Sequence, residues 1–473
     1  MPFTEGDLPV KYLGVSLIST RLHIRVCKIL VERVTNRIGD WKNKSLSFAG
    51  RLQLCRSVLS SMQVFWASVL VIPKRIILDI QHQIRGFLWC NGELKRGKPK
   101  VAWDILCLSK CEGGLGIRSL ESFNIALMTT HIWNIVTNKE SLWVRWIHNY
   151  KLRGHTIWDV PVKADMSWGW RKLLQIRESV KPFFWTKLGN GKSTSLLYDR
   201  WCDHCPITQY LSPRDVSNEG YNLHSCVADL VSNGGWVWPQ SWLLKAPNLA
   251  LIPVPNLVET QLDMPQWRDT YGKFSNFSVK CTWEALRPRG TEVNWHRIMW
   301  FNHCIPRHAF HLWLIMRNRL KTQDQLRQWD VGLNTNLNML NCVFCDSQPD
   351  SHAHLFFECS FPSSIWMAIR HLAGMEMVAS NFQDIVSYLL PSSHRRTAKS
   401  IIGCLLVAAA AYFIWVERNS RLFKNTRRTM EEIRDCIIIT VRLKLLTFRF
   451  KNNTNVNELL ARWKLPKNFK LYV

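Results

Sequence analysis

Apolar residues recur at helical spacing through the first part of the chain. One helix face is marked by apolar side chains at intervals of three and four, namely Phe48, Leu52, Cys55, Leu59 and Met62. The glycine cluster at 113–116 predicts a loop, and it lacks the Lys-Ser/Thr that would follow in a phosphate-binding loop. We therefore predict that the first 150 residues are mainly helical.

The pattern changes between about residues 151 and 290. From Trp185 to Trp201, two runs suited to β-strands flank Asn190-Gly191, a dipeptide that strongly favours a tight hairpin turn. Stretches rich in Pro, Asn and Gly continue to Pro265. These features predict a loop-rich connector with a small β-hairpin.

Helical periodicity returns from Trp295 onward. Residues 397–450 predict two helices that are broken near Asn425. The sixteen residues from Ile401 to Val416 carry no charge. That run is shorter than the roughly 20 residues of a membrane span, so we expect a buried helix instead. The overall prediction is a mainly α, multidomain protein.

The charge balance of the chain indicates what class of partner it has. Lys and Arg total 62 against 35 Asp and Glu, a formal net charge of +27. Residues 11–100 alone hold 17 basic and four acidic side chains. Such an excess attracts polyanions, above all nucleic acid, although a basic protein without that partner stays an alternative. The 24 Trp residues are expected mostly in the core.

The fifteen cysteines are scattered singly through apolar stretches. This usage is typical of reduced, buried thiols in an intracellular protein, and an odd count disfavours a disulfide framework. The first seven residues have no apolar signal core. We expect an intracellular protein, with the nucleus as one location.

Four residues have the spacing of a metal site: Cys342, Cys345, His354 and Cys359. Two thiols two residues apart can bind one ion from a single turn, and a His and a third Cys complete a tetrahedron. Four N/S ligands without a vacancy are typical of structural zinc. His352 is a rival for His354. Cys202 and Cys205, near His204, His224 and Cys226, are interpreted as a cysteine-rich loop.

A series of short motifs follows one order along nearly the whole chain. The upstream motifs are Leu8-Pro9-Val10-Lys11-Tyr12-Leu13-Gly14, Trp41, Leu46-Ser47-Phe48-Ala49-Gly50-Arg51, Ser57-Val58-Leu59, Phe87-Leu88-Trp89, Trp103, Gly113-Gly114-Leu115-Gly116 and Asn124. The downstream motifs are the 185–201 segment, Phe277-Ser278-Val279-Lys280, Trp295, Trp300, Ile305-Pro306, Trp313, Leu320, Thr322 and the four candidate ligands with His354-Leu355-Phe356-Phe357. In this order the motifs resemble the downstream half of plant LINE-type (non-LTR) retrotransposon reverse transcriptases.

The resemblance implies a domain order. It predicts a helical, thumb-like region at 1–150, a connector at 151–270, a zinc-binding region at 271–375 and a helical tail at 376–473. Zn²⁺ is the implied cofactor. Leu196-Leu197, where relatives carry Phe-Trp, and Thr130, where a Lys is expected, depart from the family pattern.

The family's polymerase site is not found within these residues. It requires a Tyr/Phe-x-Asp-Asp turn whose carboxylates hold Mg²⁺, and the 473 residues contain no Asp-Asp pair. Endonuclease and RNase H-like regions are also not recognised. We therefore expect no enzymatic activity, with no catalytic residues.

By resemblance, the basic first region contacts a template–primer duplex. The candidate phosphate contacts are Lys42, Lys44, Arg51, Arg56, Lys74, Arg75, Lys95, Arg96, Lys98 and Lys100. The alternative is a solvated basic face. A later cluster could be a helix surface, a localisation signal or an RNA contact, and comprises Arg418, Arg421, Lys424, Arg427 and Arg428.

The sequence hypothesis is an inactive, truncated reverse transcriptase remnant that holds zinc and binds RNA or RNA–DNA hybrid. One alternative is part of a working polymerase whose palm is encoded upstream. Another is a recruited protein-interaction module, and a third is a decaying fragment without function. Neither a membrane nor a small-molecule substrate is expected as a partner.

Overall fold

Helices make up most of the protein. The computed structural model describes residues 10–12, 15–17, 22–42, 45–90, 99–324, 341–395, 397–451, 453–465 and 471–472. Its α-helices are α1 Ile24–Lys42, α2 Phe48–Leu54, α3 Val64–Val69, α4 Lys74–Cys90, α5 Trp103–Cys107, α6 Leu120–Val136, α7 Leu142–Trp146, α8 Trp168–Val180, α9 Pro213–Asn218, α10 Gln240–Lys245, α11 Val279–Leu286, α12 His296–Met299, α13 Pro306–Met316, α14 Ser360–Ile369, α15 Phe382–Leu389, α16 Ala398–Lys424, α17 Met430–Leu445 and α18 Thr454–Ala461. The mainly α prediction is confirmed.

The β-structure in the described residues is short. The strands are β1 Val10–Tyr12, β2 Val15–Leu17, β3 Phe184–Lys187, β4 Val231–Ser232, β5 Gly235–Trp236, β6 Met264–Arg268, β7 Phe274–Ser275, β8 Phe450–Lys451 and β9 Leu471–Tyr472. One sheet has three strands in the order β3-β6-β7, and the other strands form two-stranded pairs. All pairs are antiparallel except β8 with β9.

The chain divides into two compact units, each assembled from separated segments. The first comprises residues 1–37, 59–83 and 118–288, and the second comprises 38–58, 84–117 and 289–473. The four-part division drawn from the sequence stays a prediction.

The core of the first unit surrounds α6. This helix packs against α3, α8 and α11. Trp133 of α6 stacks on Phe277, with ring centroids 4.7 Å apart, and Trp267 of β6 is fully buried. A smaller core lies within the connector region, around Leu196, Trp242 and Leu249. Several tryptophans thus serve packing, as expected from the size of their apolar surface.

Asn124 of α6 fixes the turn that follows α3. Its amide nitrogen donates to the carbonyl oxygens of Ala67 (2.6 Å) and Leu70 (2.9 Å), and its oxygen accepts the N–H of Ile72 (2.8 Å). The side chain is 2% exposed. A buried amide with all these bonds made orders the backbone around it, so this motif residue has a positioning role.

The hairpin predicted at Asn190-Gly191 is wrong. β3 pairs with β6, placing Phe184 opposite Trp267, and the described hairpin in this sheet is β6–β7. A type I′ turn needs positive φ at both central residues, and only Gly191 (φ 70°) has it. The carboxylate of Asp263 instead accepts N–H bonds from Gly189 (2.7 Å), Gly191 (2.9 Å) and Ser193 (3.1 Å).

The core of the second unit is built on α16, which packs against α13, α14 and α17. Asn425 ends α16 in a left-handed conformation (φ 51°), and a capping box on Thr429 and Glu432 begins α17. The predicted break near Asn425 is confirmed. By length and composition α16 could cross a membrane, but 72% of its most apolar window is buried inside the protein. It is the buried helix that the sequence predicts.

The glycine loop at 113–116 is a packing element of the second unit. The carbonyl oxygen of Gly113 accepts the indole N–H of Trp313 (2.9 Å) and a guanidinium N–H of Arg317 (2.8 Å). A Cβ on Gly114 would lie 2.1 Å from the carbonyl oxygen of Leu108. The loop needs glycine for close backbone approach, which agrees with the expectation that it is not a phosphate loop.

Candidate metal centre

The first two candidate ligands lie on one tight turn. The N–H groups of Cys345 (3.2 Å) and Asp346 (2.8 Å) both point to the carbonyl oxygen of Cys342, and Cys342 itself donates to Gln348 (2.7 Å). Asp346 takes a left-handed conformation (φ 52°) that lets the chain reverse. The amide of Asn341 donates to the carbonyl oxygen of Asp346 (2.8 Å) and closes the turn.

The other two ligands flank a kinked turn. Residues His354–Glu358 form a π-type turn that is interrupted at Phe356 and at Phe357, where φ is 80°. The N–H of Cys359 donates to the carbonyl oxygen of His354 (2.8 Å), which holds both ligands together. Leu355, Phe356 and Phe357 are fully buried and anchor the turn in the core. Cys359 then begins helix α14.

The four ligand atoms converge on one point. All lie within 4.8 Å of one another. The sulfur atoms of Cys342 and Cys359 are 3.8 Å apart, and Sγ of Cys345 is 3.2 Å from Nε2 of His354. Zn–S bonds of about 2.3 Å at a tetrahedral angle place two sulfurs roughly 3.8 Å apart. The donor set and its spacing therefore fit a tetrahedral zinc ion, with no position left for a substrate.

The electrostatics of the thiols favour exchange of a proton for a metal. The thiol of Cys342 donates to the sulfur of Cys359, and this bond lowers the pKa of Cys359 below its ordinary value. The same bond, together with burial, raises the pKa of Cys342. A bound cation would replace that shared proton and allow both sulfurs to be thiolates. Cys359 also precedes the N-terminus of α14, whose dipole favours negative charge.

A buried ion pair supports the segment between the two turns. Arg418 of α16 pairs with Asp350, and the two side chains are 3% and 0% exposed. The Asp350 carboxylate also accepts the backbone N–H of Gln323 (2.9 Å). Since 68 residues separate the partners, the pair ties the candidate metal centre to the longest helix.

A second contact with α16 covers the first turn. Phe344, between the two thiols, stacks on Phe361 with centroids 5.0 Å apart. The guanidinium of Arg421 lies over both rings, at 4.8 Å and 4.3 Å. Arg421 is held by the buried carboxylate of Glu417 (2.8 Å), which also binds Arg428 (3.0 Å). Three residues of the later basic cluster are thus engaged inside the fold.

The rival candidates lie elsewhere. His352 Nε2 is 3.1 Å from the carbonyl oxygen of Leu320, and this histidine does not join the four-residue cluster. Cys202 and Cys205 have sulfurs 3.2 Å apart. Among the described residues only the Cys342 cluster brings three or more metal-binding side chains together.

Only some of the predicted phosphate contacts lie within the residues that the structure describes. Lys44, Lys95, Arg96 and Lys98 lie outside the described residues, as does the side chain of Lys42. Lys74 and Arg75 are exposed at the start of α4, in the first unit, where Arg75 pairs with Asp79 at 3.3 Å. Arg56 is exposed in the second unit. Arg51 is buried and donates to the carbonyl oxygen of Phe87, and Lys100 is half-buried near it.

Sequence reasoning misses the contacts that support these sites. Asp350 lies beside the ligands in the sequence, but its bond to Arg418 has no local signal. Asp263, whose carboxylate accepts hydrogen bonds from the 189–194 segment, belongs to no motif. Burial alone would raise the pKa of Asp263, but the hydrogen bonds from Gly189, Thr194, Gly191 and Ser193 outweigh it and lower that pKa. Both carboxylates bind partners far away in sequence.

Comparison with known proteins covers both the metal centre and the wider chain. Residues 277–366, which include all four clustered ligands, match the family described as zinc-binding in reverse transcriptase. An Arabidopsis thaliana protein named "Putative ribonuclease H protein" is 28% identical over 354 residues, 72% of this chain and 55% of the relative. The chain thus spans about half the length of that relative.

A second Arabidopsis thaliana relative is an uncharacterized mitochondrial protein. It is 28% identical over 149 residues, which are 31% of this chain and 97% of the relative. Together with the family match, these relatives confirm the resemblance to plant retroelement proteins that the motif order indicated. Residues 277–366 are accordingly similar to the zinc-binding domain of reverse transcriptases.

Proposed function

We propose that Cys342, Cys345, His354 and Cys359 hold one structural zinc ion. The observation that carries this proposal is the convergence of three sulfurs and one imidazole nitrogen inside a domain of a zinc-binding family. The ion would fasten the 342–345 turn to the start of α14. Because the ligands meet only when these segments fold, zinc binding would contribute to folding free energy.

We further propose that the protein is a retroelement-derived binder of RNA or RNA–DNA hybrid, without catalysis of its own. The family description and the net charge of +27 support this proposal. A closed four-ligand site supplies no open metal position for chemistry, so the metal's role is architectural. The exposed side chains of Arg56, Lys74 and Arg75 are the best-placed phosphate contacts among the described candidates.

The salt dependence of nucleic-acid binding tests this function. Fluorescence anisotropy would measure affinity for an RNA duplex and an RNA–DNA hybrid over salt concentrations of roughly 50 to 300 mM. Because each phosphate contact releases condensed counterions, the logarithm of affinity should fall linearly with the logarithm of salt concentration. Replacing both Lys74→Gln and Arg75→Gln should reduce the slope by about two.

Lys163→Gln provides the matched control. Lys163 is an exposed lysine of the same unit outside the candidate set, so its loss should leave the slope unchanged. A wild-type protein that binds neither ligand at the lowest salt concentration, or binds without linear salt dependence, would contradict the proposed function. That outcome would favour a protein-interaction module.

A further inference from the structure

A cavity of about 340 Å³ lies in the second unit, beside α2, α13 and α16. Its lining combines rings and cations, with Phe48, Phe310, Tyr412 and Trp415 as the aromatic side chains and Arg51, Lys100, Arg307 and His311 as the basic ones. The volume is at the lower end of the range of small-molecule sites. The cavity is separate from the metal centre, since none of the four clustered ligands lines it.

The cations of this cavity are held against ring faces. The Arg51 guanidinium lies 4.5 Å and the Lys100 ammonium 5.2 Å from the centre of the Phe48 ring. Phe48 stacks on Phe310 with an interplanar angle of 10°. Arg307 lies 5.4 Å from the Tyr412 ring. Aromatic and basic side chains of α2, α13 and α16, together with Lys100 from the segment before α5, therefore line the same cavity.

Buried polar atoms in the lining have no partner in the described part of the chain. Both ring nitrogens of His311, which is 6% exposed, and Nε of Arg51, which is 9% exposed, make no hydrogen bond there. Burial holds the pKa of His311 at about 3, so its imidazole is neutral and offers one donor and one acceptor. Orphaned buried polar groups are costly, and a ligand would satisfy them.

The cations also lack counterions. Among the described residues no carboxylate lines the cavity, and Arg51, Lys100 and Arg307 form no ion pair with one. Burial lowers the pKa of Lys100, with nearby Lys321 adding to the effect. Uncompensated charges in a partly buried site call for an anion. The neighbouring rings call for a flat, polarisable group in the same ligand.

We propose that this cavity binds a single unstacked nucleotide of single-stranded nucleic acid. The base contacts the aromatic side chains of the lining and the phosphate pairs with Arg307 and Lys100. Base stacking on aromatic side chains joined to basic backbone contacts is how single strands are held without sequence preference. The inference rests on the proposed nucleic-acid function and adds to it a preference for unpaired strands.

The test compares a ten-nucleotide single-stranded RNA carrying one 2-aminopurine with an RNA duplex of equal length. Anisotropy measures affinity, and 2-aminopurine fluorescence reports stacking. Phe48→Leu removes an aromatic ring of the lining, and Arg307→Gln removes a cation whose side chain is exposed, so the fold should tolerate its loss. Each should weaken single-strand binding about tenfold and relieve the quenching of 2-aminopurine, while duplex binding changes less than about twofold.

Two variants outside the cavity are matched controls. Phe423→Leu removes an aromatic ring that is 79% exposed on the same helix as Tyr412, and Lys163→Gln removes one exposed positive charge. Neither should change single-strand binding. If wild type binds the duplex and the Phe48→Leu and Arg307→Gln variants bind single strands as tightly as wild type, the cavity proposal alone is overturned. The same conclusion follows if the two variants lose affinity for single strands and for the duplex equally. If wild type binds no nucleic acid, the proposed function fails with it.

Discussion

At the scale of single residues, the candidate metal centre is packed against side chains that are not among its four ligands. Asp350 and Arg418 form a buried pair next to the ligand turns, and Phe344 contacts both Phe361 and Arg421. Buried charges are tolerated when they are paired and hydrogen-bonded, and removing one partner leaves the other uncompensated. Ligand geometry here is thus tied to the packing of α16.

Asp350→Asn should strongly destabilise the protein. The substitution leaves the Arg418 guanidinium buried without a counterion, at a cost of about 3–5 kcal/mol in the free energy of unfolding. Urea denaturation followed by circular dichroism measures the change. The control is Glu376→Gln, whose partner Arg462 is 43% exposed, and which should cost at most about 1 kcal/mol. Equal effects of the two substitutions would show that the buried pair has no special role.

Asp199 should make stability depend on pH. Burial raises the pKa of its carboxyl from 3.8 to about 6. Between about pH 4 and 6 the folded state keeps a proton that the unfolded state has released, so this group's contribution to stability falls as pH rises through that window.

Asp199→Asn removes this titration and keeps an oxygen that accepts the Ser195 N–H. Relative to wild type, the variant should gain on the order of 2 kcal/mol in the free energy of unfolding between about pH 4.5 and pH 7.5. Denaturation midpoints at those two pH values give the difference. A constant difference between the proteins at both pH values would refute the raised pKa.

At the scale of elements, the sequence pattern predicts the structure correctly where interactions between neighbouring residues determine it. The two helices after residue 397 and their break at Asn425 follow from periodicity, capping and a left-handed C-terminal residue. The ligand turn follows from Cys-x2-Cys spacing, because both thiols lie within one turn. These features need no knowledge of distant contacts.

The segment at Asn190-Gly191 shows that a distant contact can override a local turn preference. The dipeptide favours a tight turn, but Asp263, more than 70 residues away, binds the backbone of Gly189 and Gly191. β3 is then free to pair with β6. Asp350 with Arg418 is a similar case, since neither residue signals its partner. Interactions between such distant positions cannot be deduced from spacing along one sequence.

The glycine loop yields a prediction at this scale. Gly114→Ala should destabilise the protein by about 2 kcal/mol or more, because the new Cβ would lie 2.1 Å from the carbonyl oxygen of Leu108. Gly39 is the matched control, since it is exposed inside α1 and a Cβ added there would have nothing within 4 Å. Gly39→Ala should stabilise by up to about 1 kcal/mol. Thermal unfolding of both variants would check the opposite signs.

At the scale of the whole molecule, each compact unit gathers segments that lie far apart in the chain. Residues 38–58 and 84–117 join the unit that contains the metal centre. The glycine loop at 113–116 links these segments to the rest of the unit, because its backbone accepts hydrogen bonds from Trp313 in α13 and from Arg317 at the end of that helix. Motifs that lie far apart in the sequence, such as this loop and Trp313, thus pack together in the second unit.

The charge of the molecule is a property of the same scale. A net charge of +27 supports attraction to polyanions over the whole surface, while the described candidates supply only a few defined contacts. Salt-dependent binding therefore tests the molecule's overall field, and the cavity variants test one place within it. The four clustered ligands and the cavity belong to the same compact unit.

Zinc content is the most direct test of the central claim. Purified protein would be dialysed against a weak chelator and analysed for metal, with wild type beside Cys345→Ser, His354→Ala, His352→Ala and Cys202→Ser. The account predicts about one zinc per chain in wild type, His352→Ala and Cys202→Ser, and its loss in Cys345→Ser and His354→Ala. Wild type without zinc, or full zinc retained in both ligand variants, would contradict it.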